Sequence, residues 1–219
     1  AGRMLELLTQ PERREAIRTA ARARVERGFS LARMVDAHEA LYRDHSPLPT
    51  LHSQLIKVCF IIDHLAVGGA QRQLVELVRA LPRDRFQLSV VSLSTAQMEL
   101  AKAIAACGVE VVSIRQSGPW SWSCFWRLLH HLRRVRPDVV VHAAALSDVD
   151  RCEQEPALAE AMNVRTIGNL VQAGGGTQPL LMAISTDYVF DGRKGAAYEE
   201  EDEPNPLSVY GKTKLAGEQ

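Results

Sequence analysis

The chain predicts an α/β protein built on an open parallel sheet, with a helical stretch in front of it. Two observations carry this reading. From residue 56 onward, apolar runs of strand length alternate with amphipathic segments of helical length, the βαβ pattern that produces parallel strands. Before that, residues 1–45 are helical in pattern and arginine-rich, and residues 46–55 (SPLPTLHSQL) hold Pro47 and Pro49, which exclude helix and mark a linker. A third feature gives the sheet a working edge. Hydroxyl, phenol and ammonium side chains gather after the last apolar run, in residues 184–218, ISTDYVFDGRKGAAYEEEDEPNPLSVYGKTKLAGE.

Taken in order, Pro11 with Glu12 and Glu15 suits a helix start, and Ala16, Ile17, Ala20, Ala23 and Val25 give that helix a loosely apolar face. Gly28 breaks it, and Ser30 caps a second helix with Leu31, Met34, Val35 and Leu41 inward. Acidic residues are interleaved with the arginines, so the basic stripe reads as a solvated helix face. Residues 56–62 predict a strand, 69–81 an amphipathic helix, 86–93 a strand, and 97–107 a helix ended by Gly108. Residues 109–114 follow as a strand, 122–135 as a helix, 138–142 as a fourth strand, 155–173 as a helix and 180–185 as a fifth strand. Gly174, Gly175 and Gly176 come after a helix and before a strand, the wrong order for a phosphate loop, and read as a C-cap and turn.

Gly68 and Gly69 instead open a helix after a strand. Its free N–H groups suit a phosphate or a sugar hydroxyl, and a flexible turn explains the pair equally well. Trp120, Trp122 and Trp126 are expected to pack a helix edge on the sheet rather than to stack a sugar. His130 and His131, among arginines, are expected to face solvent. His142, at the end of the fourth strand, is either a ligand contact or a satisfied buried imidazole.

The chemistry is concentrated in the last segment. Ser185 and Thr186 stand at the carboxyl end of the fifth strand, where open α/β sheets bind ligands. Tyr210 and Lys214, four residues apart, share one face of a helix. A free tyrosine titrates near roughly 10. A lysine ammonium one turn away favours the phenolate, which makes a phenol a usable proton donor or acceptor at neutral pH. With Thr186 to hydrogen-bond the same oxygen, the trio suits reduction of a ketone. A nicotinamide delivers hydride to carbon, Tyr210 protonates the oxygen, and Lys214 tunes Tyr210 and grips the nicotinamide ribose. Tyr-x-x-x-Lys alone also describes an ordinary surface helix. The flanking STDYVFDG and PNPLSVYGKTKLAGE, in that order, argue for the site.

Together with PDVVVHAAALSDVDRCEQEP and AMNVRTIGNLVQA, these motifs resemble the extended short-chain dehydrogenases, and among them the dTDP-4-dehydrorhamnose reductase family, over residues 137–219. The resemblance implies Thr186, Tyr210 and Lys214 as catalytic residues. It implies NADPH or NADH as cofactor, against Ala143, Ala144, Ala145, Ser185, Tyr210 and Lys214, with Gly68 and Gly69 a poor substitute for the missing pyrophosphate loop. Asp187, Tyr188, Val189 and Phe190 would face a nucleotide sugar. Residues 1–45, through LLTQPERREAIRTAARARVERGFSLARMVDAHEALYRD, resemble the C-terminal tail of a GT-B glycosyltransferase, which carries no catalytic residues. Residues 56–136, through KVCFIIDHLAVGGAQRQLVELVRAL and AKAIAACGVEVVSI, resemble the N-terminal half of a family 4 glycosyltransferase. There Gly68, Gly69 and Arg72 would border an acceptor cleft.

The family 4 glycosyltransferases and the reductases both begin with three βα units and then cross to the other side of strand one, and the change of resemblance falls at RPDVVVH, the fourth strand. A Rossmann-like three-layer sheet of order 3-2-1-4-5 with an N-terminal helical appendage is therefore expected, its first half (56–136) glycosyltransferase-like and its second (137–219) reductase-like and truncated. No G-x-G-x-x-G occurs in the chain. The functions that follow are reduction of a 4-keto deoxysugar nucleotide, a glycosyltransferase acceptor fragment, and a folded inactive fragment. The leading Ala and the final Gln219, inside a helical pattern, read as cut ends of a mosaic.

Composition narrows the partners. Lys and Arg number 26 against 26 Asp and Glu, so nothing points to nucleic acid or to an anionic membrane. Cys59, Cys107, Cys124 and Cys152 lack paired spacing and read as reduced thiols of a cytoplasmic protein, with no metal site. The acidic run 199–203 reads as a solvated loop. No apolar run approaches ~18 residues, so no membrane span is expected. A homodimer is compatible with all of this.

Overall fold

The computed structural model describes residues 10–44, 55–96, 98–114, 122–173 and 179–219. It divides into two compact units, Ala1–Asp44 and His45–Gln219.

The first unit holds α1 (Pro11–Gly28) and α2 (Leu31–Asp44). The expected apolar face of α1 is not a buried one: Ile17 and Val25 are about half exposed. Its apolar residues are spread around the helix rather than gathered into a stripe. Surface pairs Arg22–Glu26 and Arg18–Glu15 lie along it instead. Ser30 does cap α2, its Oγ accepting from Arg33 N at 3.4 Å. Val35 and Tyr42, seven residues apart and so on one face, are the buried pair. Leu31 and Leu41, expected inward, are exposed.

The second unit is a five-stranded parallel sheet, β1 (Ile56–Ile62), β2 (Phe86–Ser92), β3 (Glu110–Ser113), β4 (Val139–His142) and β5 (Leu180–Ala183), in the expected order 3-2-1-4-5. β1 is central, Cys59 pairing with Ser89 of β2 and with Val140 of β4. Its last five residues are buried, as a strand covered on both faces must be. α3 (Gly69–Ala80) and α4 (Ala101–Ala105) connect β1 to β2 and β2 to β3. α5 (Trp122–Val135) then crosses back to β4 and, by the right-handed crossover rule, covers the opposite face. There Leu128 and Leu132 of α5 share a core with Cys59, Ile61, Val91 and Val140.

Three helical expectations change. The segment at 97–107 is helical only over Ala101–Ala105, and Gly108, at φ 73°, ends it where a side chain would be strained. The helix expected over 155–173 is preceded by a separate α6 (Val149–Gln154), capped by Asp148. It then runs as α7 (Pro156–Glu160), a π-turn (Ala161–Arg165) and α8 (Thr166–Ala173). His131 is buried, not solvent-facing, because it falls on the same stripe of α5 as Leu128 and Leu132. Trp126 lies off that stripe and is exposed, meeting Phe125 edge-on rather than the sheet. Residues 46–54 of the 46–55 linker, Trp120, the side chain of Trp122 and the glycines 174–176 lie outside the described residues. No described helix is long and apolar enough to cross a membrane.

Candidate active site

Parallel strands put all their carboxyl ends on one edge, and β1 and β4 are neighbours although a crossover separates them in sequence. The loops after these two strands therefore flank one crevice, the switch point where α/β sheets take ligands. Gly68 and Gly69 lie on the β1 side and Ala143 to Ala145 on the β4 side. Thr186 follows β5.

The last helix, α9 (Val209–Glu218), carries Tyr210 and Lys214 to this edge. Its N-terminus is fixed twice: Ser208 Oγ accepts from Gly211 N at 3.0 Å, and Glu153 Oε1 of α6 accepts from Val209 N at 2.7 Å. Lys214 is only 5% exposed, and its Nζ donates to Ile184 O at 2.6 Å, just past β5. Burial pushes its pKa below the usual lysine value, and Glu218 partly opposes this. Glu218 also accepts from Ser185 Oγ. Two side chains one turn apart thus clamp α9 to the end of β5.

Thr186 caps the short 3-10 turn Asp187–Val189, its Oγ1 accepting from Tyr188 N at 3.3 Å and donating to Asp187 Oδ1 at 3.3 Å. The Tyr188 and Tyr210 rings meet edge to face, centroids 5.6 Å apart. The expected substrate set divides. Asp187 and Tyr188 are exposed beside Thr186, but Val189 is buried and cannot face a sugar, since the turn directs it into the core. Phe190 stacks on Tyr198 at 4.2 Å. The alanines divide too: Ala143 is exposed, Ala145 partly so, and Ala144 is buried in the core. His142 is buried at 2% exposure, yet neither ring nitrogen has a hydrogen-bond partner among the described residues, so of its two expected readings the satisfied buried imidazole is not met. Burial, with a smaller contribution from the Lys214 charge, lowers its pKa to about 4.

Several residues that shape the site escaped the sequence reading. Asn163, 1% exposed in the π-turn, accepts from Leu146 N at 2.8 Å and donates from Nδ2 to Thr213 Oγ1 at 3.0 Å and to Leu146 O at 3.2 Å. Thr213 Oγ1 donates in turn to Tyr210 O at 3.0 Å. The loop after β4, the π-turn and the helix bearing Tyr210 are joined by one buried network. Gly211 and Gly217 allow the approach. A Cβ at 211 would lie 2.2 Å from Tyr188 O, and one at 217 would lie 2.6 Å from Asn163 O. Asp191 gathers the following loop, accepting from Arg193 N, Tyr198 Oη and Asn205 Nδ2, which hold its carboxyl below the usual range. The acidic run is likewise tied down, Asp202 pairing with Lys194 and accepting from Glu199 N. No group able to hold a metal ion occurs among the described residues. G-x-x-x-x-x-G on one helix was the available signal for close packing, and Asn163, one of several polar residues in its segment, carried none.

Fold and site define an open, Rossmann-like α/β protein with a tyrosine–lysine helix at the carboxyl edge of its sheet. The chain belongs to the RmlD substrate binding domain family, whose pattern matches residues 94–219. It is similar to dTDP-4-dehydrorhamnose reductase of Salmonella typhimurium, 46% identical over 87 residues that make up 40% of this chain and 29% of that protein. It is also similar to methionine adenosyltransferase 2 subunit beta of Bos taurus, 46% identical over 91 residues, 41% of this chain and 27% of that one. A dTDP-4-dehydrorhamnose reductase of Bacillus anthracis, solved in complex with NADP, shares the fold with TM-score 0.54 and 24% identity, over 75% of this chain and 48% of that one. The chain thus spans under a third of these curated relatives and about half of that solved structure. The family match begins at residue 94, well upstream of the expected change at 137, so residues 94–136 fall inside it. The glycosyltransferase resemblances are not supported by these comparisons.

Proposed function

We propose that this chain carries the cofactor-binding and proton-transfer part of an NADPH-dependent reductase acting on the 4-keto group of a deoxysugar nucleotide in the cytoplasm. The observation that carries the reading is the anchoring of Lys214: a buried ammonium bonded to the carbonyl of Ile184, one helical turn beyond Tyr210 and at the strand end that bears Thr186. The relatives named as reductases and the NADP-bound neighbour support it.

The crevice suits a dinucleotide on both flanks. Gly69 has open space where a Cβ would stand, and α3 begins without a side-chain cap, leaving N–H donors for a pyrophosphate at Gly68 and Gly69. Ala143, small and exposed, would lie along a flat ring. Lys214 keeps two donors beyond the one given to Ile184, enough to hold a ribose. When bound, the nicotinamide supplies hydride. Tyr210 gives its proton to the substrate oxygen, with Lys214 one turn along the same helix. Thr186 turns its hydroxyl hydrogen from Asp187 toward the same oxygen.

The test is NADPH titration by fluorescence, followed by turnover of dTDP-4-dehydrorhamnose, in wild type and Tyr210→Phe. Both proteins are expected to bind NADPH alike, with turnover reduced by about 100-fold or more in the variant. Absence of NADPH binding, or equal turnover, overturns the proposal. Binding without turnover in the wild type favours a second reading, a folded dinucleotide-binding portion without activity of its own. The match to only 29% of the length of the Salmonella typhimurium reductase supports that one.

A further inference from the structure

We propose that Asp191 is a positioning residue for the nucleotide sugar: it locks residues 191–205 into a closed loop that forms a preset wall on the substrate side of Tyr210. The role rests on the reductase reading above, and Asp191 acts in it through its neighbours. Sheet order puts the loop on that side. β1 and β4 flank the crevice proposed for the dinucleotide, and β5 lies beyond β4. The chain leaving β5 passes Thr186 and the exposed Tyr188, runs through this loop, and returns at Asn205 to start α9.

The loop is shut at its base and braced inside. Asn205 N donates to Val189 O at 2.9 Å, and Asn205 Nδ2 donates to Asp191 Oδ2 at 2.9 Å. Asp191 Oδ1 accepts from Arg193 N at 2.9 Å and from Tyr198 Oη at 3.0 Å. Tyr198 Oη accepts in turn from Lys194 N at 3.2 Å, and its ring stacks on Phe190 with the planes 11° apart. Gly192 and Gly195, at φ 74° and 71°, make the tight bends that bring these groups round. One carboxylate thus ties the start, the middle and the end of the loop together. Compact loops with joined ends, packed by their own side chains, are frequently functional.

Both ends of the loop reach the helix that bears Tyr210. On the entering side, the Tyr188 ring meets the Tyr210 ring edge-on, and Tyr188 O stands 2.2 Å from where a Cβ on Gly211 would lie. On the leaving side, Pro206 stands 3.0 Å from the same point. Releasing Asp191 would loosen both flanks of Tyr210 and leave the bond from Lys214 to Ile184 untouched. A substrate would then have to order the wall as it binds, a cost that falls on binding and not on proton transfer afterwards.

Limited trypsin digestion and steady-state kinetics of the whole chain test the role. Asp191→Asn sets an amide against Asn205 Nδ2, so cleavage after Arg193 and Lys194 should quicken about tenfold. KM for dTDP-4-dehydrorhamnose should rise about tenfold, with kcat within about twofold and the Kd of NADPH unchanged. Tyr198→Phe keeps the ring stack and removes one donor to Asp191, so it should move cleavage and KM the same way by about threefold. Cleavage at the wild-type rate in both variants, an unchanged KM, or a loss shared equally by KM, kcat and NADPH binding overturns the proposal. A wild type without turnover overturns the reductase reading and the substrate role with it, and the cleavage rates then still decide whether Asp191 closes the loop.

Discussion

The two ends of one parallel sheet treat their polar groups in opposite ways. At the carboxyl edge, Lys214, Ser185, Asn163 and Thr213 are bonded into a frame that fixes the helix bearing Tyr210. At the amino edge, the Lys57 ammonium and the buried Ser89 hydroxyl have no hydrogen-bond partner among the described residues. Paired polar groups hold a shape, because breaking one leaves its mate stranded away from water. Unpaired ones hold nothing, and are tolerated only at a cost or for a ligand. His142 is the exception on the carboxyl edge, buried and unpaired next to the frame.

The largest effect expected from breaking the frame is at its closest contact. Gly211→Ala would drive a Cβ to 2.2 Å from the backbone oxygen of Tyr188, which cannot swing aside as a side-chain end could. A loss of about 3 kcal/mol is expected in urea unfolding, outweighing the gain of about 1 kcal/mol from better helix propensity. A loss below that gain would mean that α9 sits further from the 3-10 turn.

His142 comes next, through pH. Its folded pKa, about 4, lies below the ordinary 6.5, so the unfolded chain binds the extra proton between those values. Stability is complete above about pH 6.5 and falls as pH drops toward 4, by about 3 kcal/mol in all. His142→Leu should lose that slope, as read from the difference between the two proteins' urea midpoints at neutral and acid pH.

Asn163→Ala should cost about 2 kcal/mol, since Leu146 N–H and Thr213 Oγ1 both lose a partner in a buried place. Asn163→Asp keeps the acceptor for Leu146 N–H but sets a buried carboxylate against Leu146 O, so it should cost more than Asn163→Ala. Equal midpoints for all three proteins would show that the network adds nothing to stability. The smallest effect belongs to the amino edge. Ser89→Ala removes a hydroxyl that has no partner and should shift unfolding by less than about 0.5 kcal/mol, or stabilise. A large loss there would erase the contrast between the two edges.

Much of the carboxyl edge was legible because it rests on local spacing. Tyr210 and Lys214 share a face by helix period alone, and Ser185 and Thr186 follow the apolar run that makes β5. The edge strand β3 and the helix α4 came out shorter than their apolar patterns, since pattern marks a segment and tertiary packing sets its ends. Asn163 was passed over because, among Glu160, Arg165 and Asn169, it looks like one more solvent-facing polar residue until its partners, 17 and 50 residues away, are brought to it.

By itself the sequence determined the α/β class, the order of strands and helices, and which residue types could move a proton at the end of β5. Only the tertiary structure decided that Val189 and Ala144 turn into the core, that His131 and His142 are buried, and that Lys214 is tied to Ile184. The physical reason is range. Periodicity and turn chemistry act over a few residues, whereas burial and hydrogen-bond satisfaction depend on which distant segments the sheet brings together.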